Sequence, residues 1–242
     1  MIRQLNDILQ LNVVEDILLF SQKGKLLYAP LPCSAQQAAQ KTAIWGRLLK
    51  EEYVHEARFL FEKGGFYVHR TSVGCIVASC KNSDALEMVA ARCDAIGRML
   101  MDKTARRKAL EQLLFKISDE CKPAAVEELT NQPGAKTAAI LLALLDTHRE
   151  FDVNAKEHLL ITLCRALGDC AAGEAIKPLQ DFMSKCRKDG ELSKGVEEEL
   201  KVSLRQLEFA GQKGAASRMN DETEATGLIG SPAEKKRSDV GA

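Results

Sequence analysis

Eight cysteines and four histidines are the side chains in this 242-residue chain whose types could support nucleophilic or metal chemistry. Cys33, Cys75, Cys80, Cys93, Cys121, Cys164, Cys170 and Cys186 include no Cys-x-x-Cys pair, the spacing that builds a zinc knuckle, so no metal site is expected. His55, His69, His148 and His158 lack H-E-x-x-H or Glu-x-x-His spacing and read as surface histidines. Cys33 lies between Pro32 and Ser34 just ahead of a helix start, where a thiol pKa can fall, but no partner base is evident. Gly134-Ala135-Lys136-Thr137 resembles the end of a phosphate loop, but Ala135 stands where that loop needs glycine and the upstream glycine is missing. Glu197-Glu198-Glu199 reads as a solvated helix face, and Arg106-Arg107-Lys108 as a basic linker face. No catalytic residue, cofactor or metal ligand is therefore assigned, and the chain reads as an interaction protein more than an enzyme.

The elements that must position any binding residues fall into three zones. Residues 1–102 alternate helix and strand patterns. Leu5, Ile8, Leu9 and Leu11 mark a short opening helix. Asp16–Phe20 and Lys25–Ala29 read as two strands around a turn containing Gly24, closed by Pro30 and Pro32. The first is too apolar for a strand with one exposed face. Ser34-Ala35-Gln36-Gln37 is a capping box that opens a helix to about Glu52. Ala57–Glu62 and Phe66–Arg70 form an aromatic hairpin around Lys63-Gly64-Gly65. Gly74–Cys80 is a fifth strand, and a helix capped near Asp84 closes the zone. The order is α-β-β-α-β-β-β-α, with antiparallel pairing and helices over the sheet.

Residues 103–210 carry helix patterns only, at about 105–121, 123–131, 134–149, 153–167, 172–187 and 191–210, with Gly168 ending the fourth. Residues 211–242 are rich in Gly, Ser, Ala and charge and read as a disordered tail. The fold class is thus α+β, followed by an all-α domain.

Charge excludes some partners. Lys and Arg number 34 and Asp and Glu 34, and the balance holds within each zone: 12 against 11, 17 against 18, and 5 against 5. A general nucleic-acid or acidic-membrane binder needs a positive field that this chain lacks. No apolar run approaches the roughly 18 residues of a membrane helix, and the N-terminus lacks a signal-peptide core. A cytoplasmic protein with reduced thiols is expected.

The first zone resembles the Roadblock family, the fold of dynein light chains and of a bacterial GTPase regulator. The resemblance rests on the element order, the opening helix Ile2–Leu11, the hairpin of Asp16–Phe20 with Gly24–Tyr28, and the strand Gly74–Ala78. Ser21-Gln22-Lys23 replaces the family's usual small residues after the first strand. The resemblance implies a homodimer paired through the second helix and the 57–62 strand, with Phe59 and Phe61 at the interface. It also implies a Ras-like small GTPase bound on the helix face, with its hydrolysis accelerated by repositioning of its own residues and without an arginine finger. The implied contacts are Gln37, Lys41, Ile44, Trp45 and Leu48. Trp45 is either a binding anchor or buried against the sheet or in the dimer.

The second zone resembles HEAT-type helical repeats, best at Leu163-Cys164-Arg165-Ala166-Leu167-Gly168-Asp169 followed by Ala175-Ile176-Lys177-Pro178-Leu179. Such a solenoid implies a face that recruits a further protein. Two other functions stand beside a GTPase regulator or scaffold: a nucleotide-independent structural adaptor, and a thiol redox sensor using Cys33, Cys75 or Cys80.

Overall fold

A computed structural model describes residues 1–31, 34–49 and 55–226. It is an α+β structure in which one antiparallel sheet is followed by helices alone among the described residues. The elements run α1 (Ile2–Leu9), β1 (Val14–Ser21), β2 (Leu26–Tyr28), α2 (Ala35–Leu49), β3 (Glu56–Phe61), β4 (Gly64–Arg70), β5 (Gly74–Cys80) and α3 (Ala85–Leu100). Then come α4 (Lys103–Leu114), α5 (Lys122–Thr130), α6 (Ala135–Asp146), α7 (Val153–Asp169), α8 (Ile176–Asp189) and α9 (Lys194–Thr226), with 3-10 turns at His148–Glu150 and Gly173–Ala175. The strand order is β2-β1-β5-β4-β3.

The apolar run in β1 has a simple cause: both faces of the sheet are covered. Ile17, Leu19, Tyr67, Ile76 and Ala78 pack with α1, α3 and the helices beyond them. Leu18, Phe20, Leu26, Val68, Cys75 and Val77 face the other way, against Ala38, Trp45 and Leu49 of α2 and against Cys121 and Ile117. The first hydrophobic cluster runs unbroken from Met1 to Leu207, so the two expected domains share one core.

Polar contacts dock the helical zone on the β1–β2 turn. The Gln22 N–H donates to Glu128 Oε1 of α5 at 3.0 Å, and Lys25 Nζ reaches Glu127 at 2.7 Å. Glu128 is buried, and burial raises its carboxyl above the ordinary range despite hydrogen bonds from Gln22 and Asn131.

Several local expectations need correction. The β3–β4 loop is Glu62-Lys63, because Phe61 pairs with Gly64. Gly64 and Gly65 belong to β4, where a Cβ would stand 2.3 Å from Cys80 O at Gly64 and 2.6 Å from Phe59 O at Gly65. Their role is close backbone approach, and turn formation is secondary. Gly168 does not end α7, which continues to Asp169. Gly168 lets α7 meet α9, since its Cβ would lie 3.1 Å from Ser203 Cα. The chain turns just beyond, at Ala171, with φ 50°. Asp84 makes no side-chain cap; Asn82 Oδ1 accepts from Ala85 N instead, at 3.0 Å. The last helix does not stop at 210. It runs to Thr226, through sequence rich in the good helix formers Ala, Gln, Glu and Met. Residues 227–242 of the expected tail lie outside the described residues. Among the described residues, no helix is long and apolar enough to cross a membrane.

Two outcomes follow. Gly74 pairs with Ser21, and a Cβ there would stand 1.8 Å from Phe20 O. Gly74→Ala is expected to cost on the order of 3 kcal/mol in urea unfolding, because backbone must move. Glu128→Ala leaves the Gln22 N–H without its acceptor, at about 1–3 kcal/mol. Glu128→Gln keeps an acceptor but cannot ionise. The native state holds the Glu128 proton more tightly than the unfolded chain does. That stabilisation is full below the ordinary carboxylate pKa and is lost as pH rises through the raised value. Unfolding measured from pH 4 to 7 should therefore show the wild type losing stability relative to Glu128→Gln as pH rises.

Candidate functional site

The second helix begins as its sequence requires. Ser34 Oγ accepts from Gln37 N at 3.3 Å, and Gln37 Oε1 accepts from Ser34 N at 2.9 Å, the reciprocal capping box. At the other end, Arg70 Nη2 of β4 donates to Leu49 O at 2.7 Å, satisfying one of the helix's last carbonyls. With both ends held, α2 lies across the sheet with Ala38, Trp45 and Leu49 inward. Gln36, Gln40, Ala43 and Ile44 face solvent.

The predicted contact residues separate on this helix. Ile44 is 71% exposed and is an available apolar anchor. Gln37 is exposed, although its side-chain oxygen is engaged in the cap. Lys41 Nζ lies 3.2 Å from Asp16 Oδ2 of β1, which fixes the helix over the sheet. Trp45 is half-buried, edge-on to Phe66 with ring centroids 5.1 Å apart. Most of Trp45 therefore packs under α2, and Ile44 is the more open of the two. Leu48 lies in the last turn of α2, and its side chain falls outside the described atoms.

Strand β3 forms one edge of the sheet and pairs with β4 alone among the described residues. Phe59 is half-buried beneath the α2 layer. Phe61 is 60% exposed, and its ring meets Phe66 edge-on at 5.7 Å. Phe66 thus links α2 to the edge. Leu60, which sequence reasoning passed over, is 64% exposed on the opposite face of the strand. Its alternation with Phe59 and Phe61 is the signal that could have flagged it. Arg58 pairs with Glu56 at 2.8 Å and with Glu87 of α3.

The groups with intrinsic reactivity are mostly committed. A cleft of about 450 Å³ is lined by His55, His69, Asp94 and Arg98 among others. His69 Nδ1 lies 3.5 Å from Asp94 Oδ1 and 3.4 Å from the buried Tyr67 hydroxyl. The two hydroxyls in the cleft serve the fold: Ser72 donates to Leu100 O at 2.6 Å and Thr71 to Gly74 O at 2.9 Å. Burial lowers the His69 pKa, with Asp94 acting against it. His148 is not the surface residue expected: it is 4% exposed, and burial lowers its pKa too. Cys75 and Cys80 are buried, and desolvation raises both thiols, the opposite of a redox-sensing thiolate. Burial pushes Cys93 and Cys164 up to about 12. Cys33 lies outside the described residues.

Neither a family model nor a curated protein matches this chain.

The seven described cysteines are all buried. In a Cys33→Ser background none should react with Ellman's reagent within minutes at pH 7.5, and all seven should react once the chain is unfolded in guanidinium. Rapid native labelling of Cys75 or Cys80 would revive the redox reading.

Proposed function

We propose that the chain is a non-catalytic, dimeric regulator or scaffold for a Ras-like small GTPase, whose helical zone recruits a further protein. The GTPase and the dimer come from the Roadblock resemblance of the first eight elements. The recruiting role comes from the HEAT resemblance of α7, α8 and the turn between them.

The observation that best supports the reading is the outer edge of β3. Six residues of strand present a row of backbone donors and acceptors, flanked by exposed Phe61 and Leu60. Such an edge invites uncontrolled pairing unless something occupies it. A second copy related by a two-fold axis would satisfy the row and join two sheets into one. On the outward face of α2, Ile44 is exposed together with Gln36, Gln40 and Ala43. A GTPase seated there would meet Ile44 as an apolar anchor. No arginine is required of this chain, because acceleration would come from holding the GTPase's own catalytic residues in place.

The experiment pairs two substitutions at exposed positions. Phe61→Lys should convert a dimer to a monomer in sedimentation equilibrium while leaving the melting temperature of the monomer unit within a few degrees. Ile44→Lys should leave the dimer intact and weaken GTPase binding at least tenfold. Dimerisation should change little between 50 and 500 mM salt, because exposed ion pairs contribute little to it. Binding to Ras-like GTPases of the same genome is measured in both nucleotide states. Equal affinity in both states makes the chain an adaptor; no complex with any of them ends the GTPase reading.

A further inference from the structure

Far from α2 and β3 in sequence, three side chains of different elements converge. His148 opens the 3-10 turn after α6, Cys186 lies in the last turns of α8, and Glu191 follows the glycine that stops α8. Their donor atoms all lie within 4.8 Å of one another. His148 Nε2 is 3.9 Å from Cys186 Sγ and 3.7 Å from Glu191 Oε2.

Each donor is held by the fold. His148 Nδ1 lies 3.1 Å from Leu145 O. A carbonyl only accepts, so Nδ1 carries the proton and the Nε2 lone pair faces the other two donors. Metal-binding histidines are oriented in this way by a backbone carbonyl behind them. The Phe182 ring stands edge-on to the imidazole at 5.0 Å and closes one side. Gly190 adopts φ 69°, and Glu191 N donates to Cys186 O at 3.0 Å. This is the Schellman stop, which brings the residue after the glycine back over the last full turn. The motif commonly pairs two apolar side chains at those positions. Here it pairs a carboxylate with a buried thiol, which makes a poor hydrophobic contact and a good set of ligands.

We propose that His148 Nε2, Cys186 Sγ and a Glu191 carboxylate oxygen bind one borderline-soft divalent transition-metal ion, of which Zn²⁺ is the best match, with water completing a tetrahedron. Donors around tetrahedral zinc, at about 2.0 Å for nitrogen or oxygen and 2.3 Å for sulfur, stand roughly 3.3–3.6 Å apart. His148 Nε2, at 3.9 Å from the sulfur and 3.7 Å from the carboxylate oxygen, is within a few tenths of an ångström of that spacing, and the remaining pair lies within 4.8 Å. A thiol with an imidazole disfavours Mg²⁺ and Ca²⁺, which take oxygen ligands. On binding, the S–H bond of Cys186 breaks heterolytically, the sulfur's electron pair bonds to the metal, and the proton passes to solvent. No electron is transferred. The ion would clip the α6–α7 corner to the α8–α9 corner, with Glu191 the most exposed of the three donors. This site is independent of the GTPase reading.

The test uses the full chain stripped with a chelator, with Co²⁺ as a visible probe for the zinc position. The wild type should take up one equivalent and show a thiolate-to-cobalt charge-transfer band that stoichiometric Zn²⁺ abolishes. Cys186→Ser should lose that band. Glu191→Gln should weaken Co²⁺ binding at least tenfold while the melting temperature of the metal-free protein stays unchanged, since the Glu191 side chain reaches solvent. Absence of the band in wild type overturns the site, and so does a band that persists in Cys186→Ser. Equal affinity in Glu191→Gln overturns the three-ligand set.

Discussion

From Ile17 onward strand β1 is buried on both faces, and the other elements are arranged around that fact. Its two edges pair with β2 and β5. Its two faces carry Ile17 and Leu19 one way, Leu18 and Phe20 the other. Every apolar side chain so enclosed contributes about 1.5–3 kcal/mol by leaving water, but only if a layer exists on its face. Helices α1 and α3 supply one layer. Helix α2 supplies the other, aided by Cys121 and Ile117 from the helical zone. The position of α2 is therefore a consequence of covering β1. Its exposed face is what remains once Ala38, Trp45 and Leu49 have been spent on the sheet.

The same economy explains why, among the described residues, the edge at β3 stands open while the edge at β2 does not. The short strand β2 lies beneath α2 and α5, and its turn is held by Glu127 and Glu128. Strand β3 pairs with β4 alone among the described residues, and its Leu60 and Phe61 are exposed. Charge does little at this end of the molecule. The Arg58 pairs with Glu56 and Glu87 are open to solvent, where ion pairs contribute little. Neutrality within each zone agrees with this: apolar side chains and backbone, more than long-range attraction, are what the open edge offers.

Strand and helix types were legible in the chain wherever apolar spacing was regular. The run Asp16–Phe20 already signalled cover on both faces, and Ser34 with Gln37 marked the start of α2. Several of the errors have a cause outside the local sequence: the deciding atom comes from another element. Gly64 and Gly65 look like a turn because their reason to be glycine is the carbonyls of Cys80 and Phe59. Gly168 looks like a stop because Ser203 is its actual neighbour. His148, set between Thr147 and Arg149, looks exposed until Phe182 and Cys186 arrive from α8. The Trp45 alternatives could not be separated from spacing alone, because a helix turned by one residue would exchange Trp45 with Ile44. Only the contact with Phe66 decides which of them faces inward.

The bond from Gln22 N to Glu128 joins residues 106 positions apart. Translation at about 5–20 residues per second places roughly 5–20 s between the emergence of its two ends. Throughout that interval β1 and the β1–β2 turn exist without their final cover, and for most of the first half of it β5 is missing as well. The nascent chain thus spends seconds with the edge of β1 that β5 will occupy still unpaired. Gly24, at φ 76°, closes the turn locally and lets β2 shield one edge of β1 as soon as both are made. The hairpin is a temporary guard for the strand on which the finished protein is built.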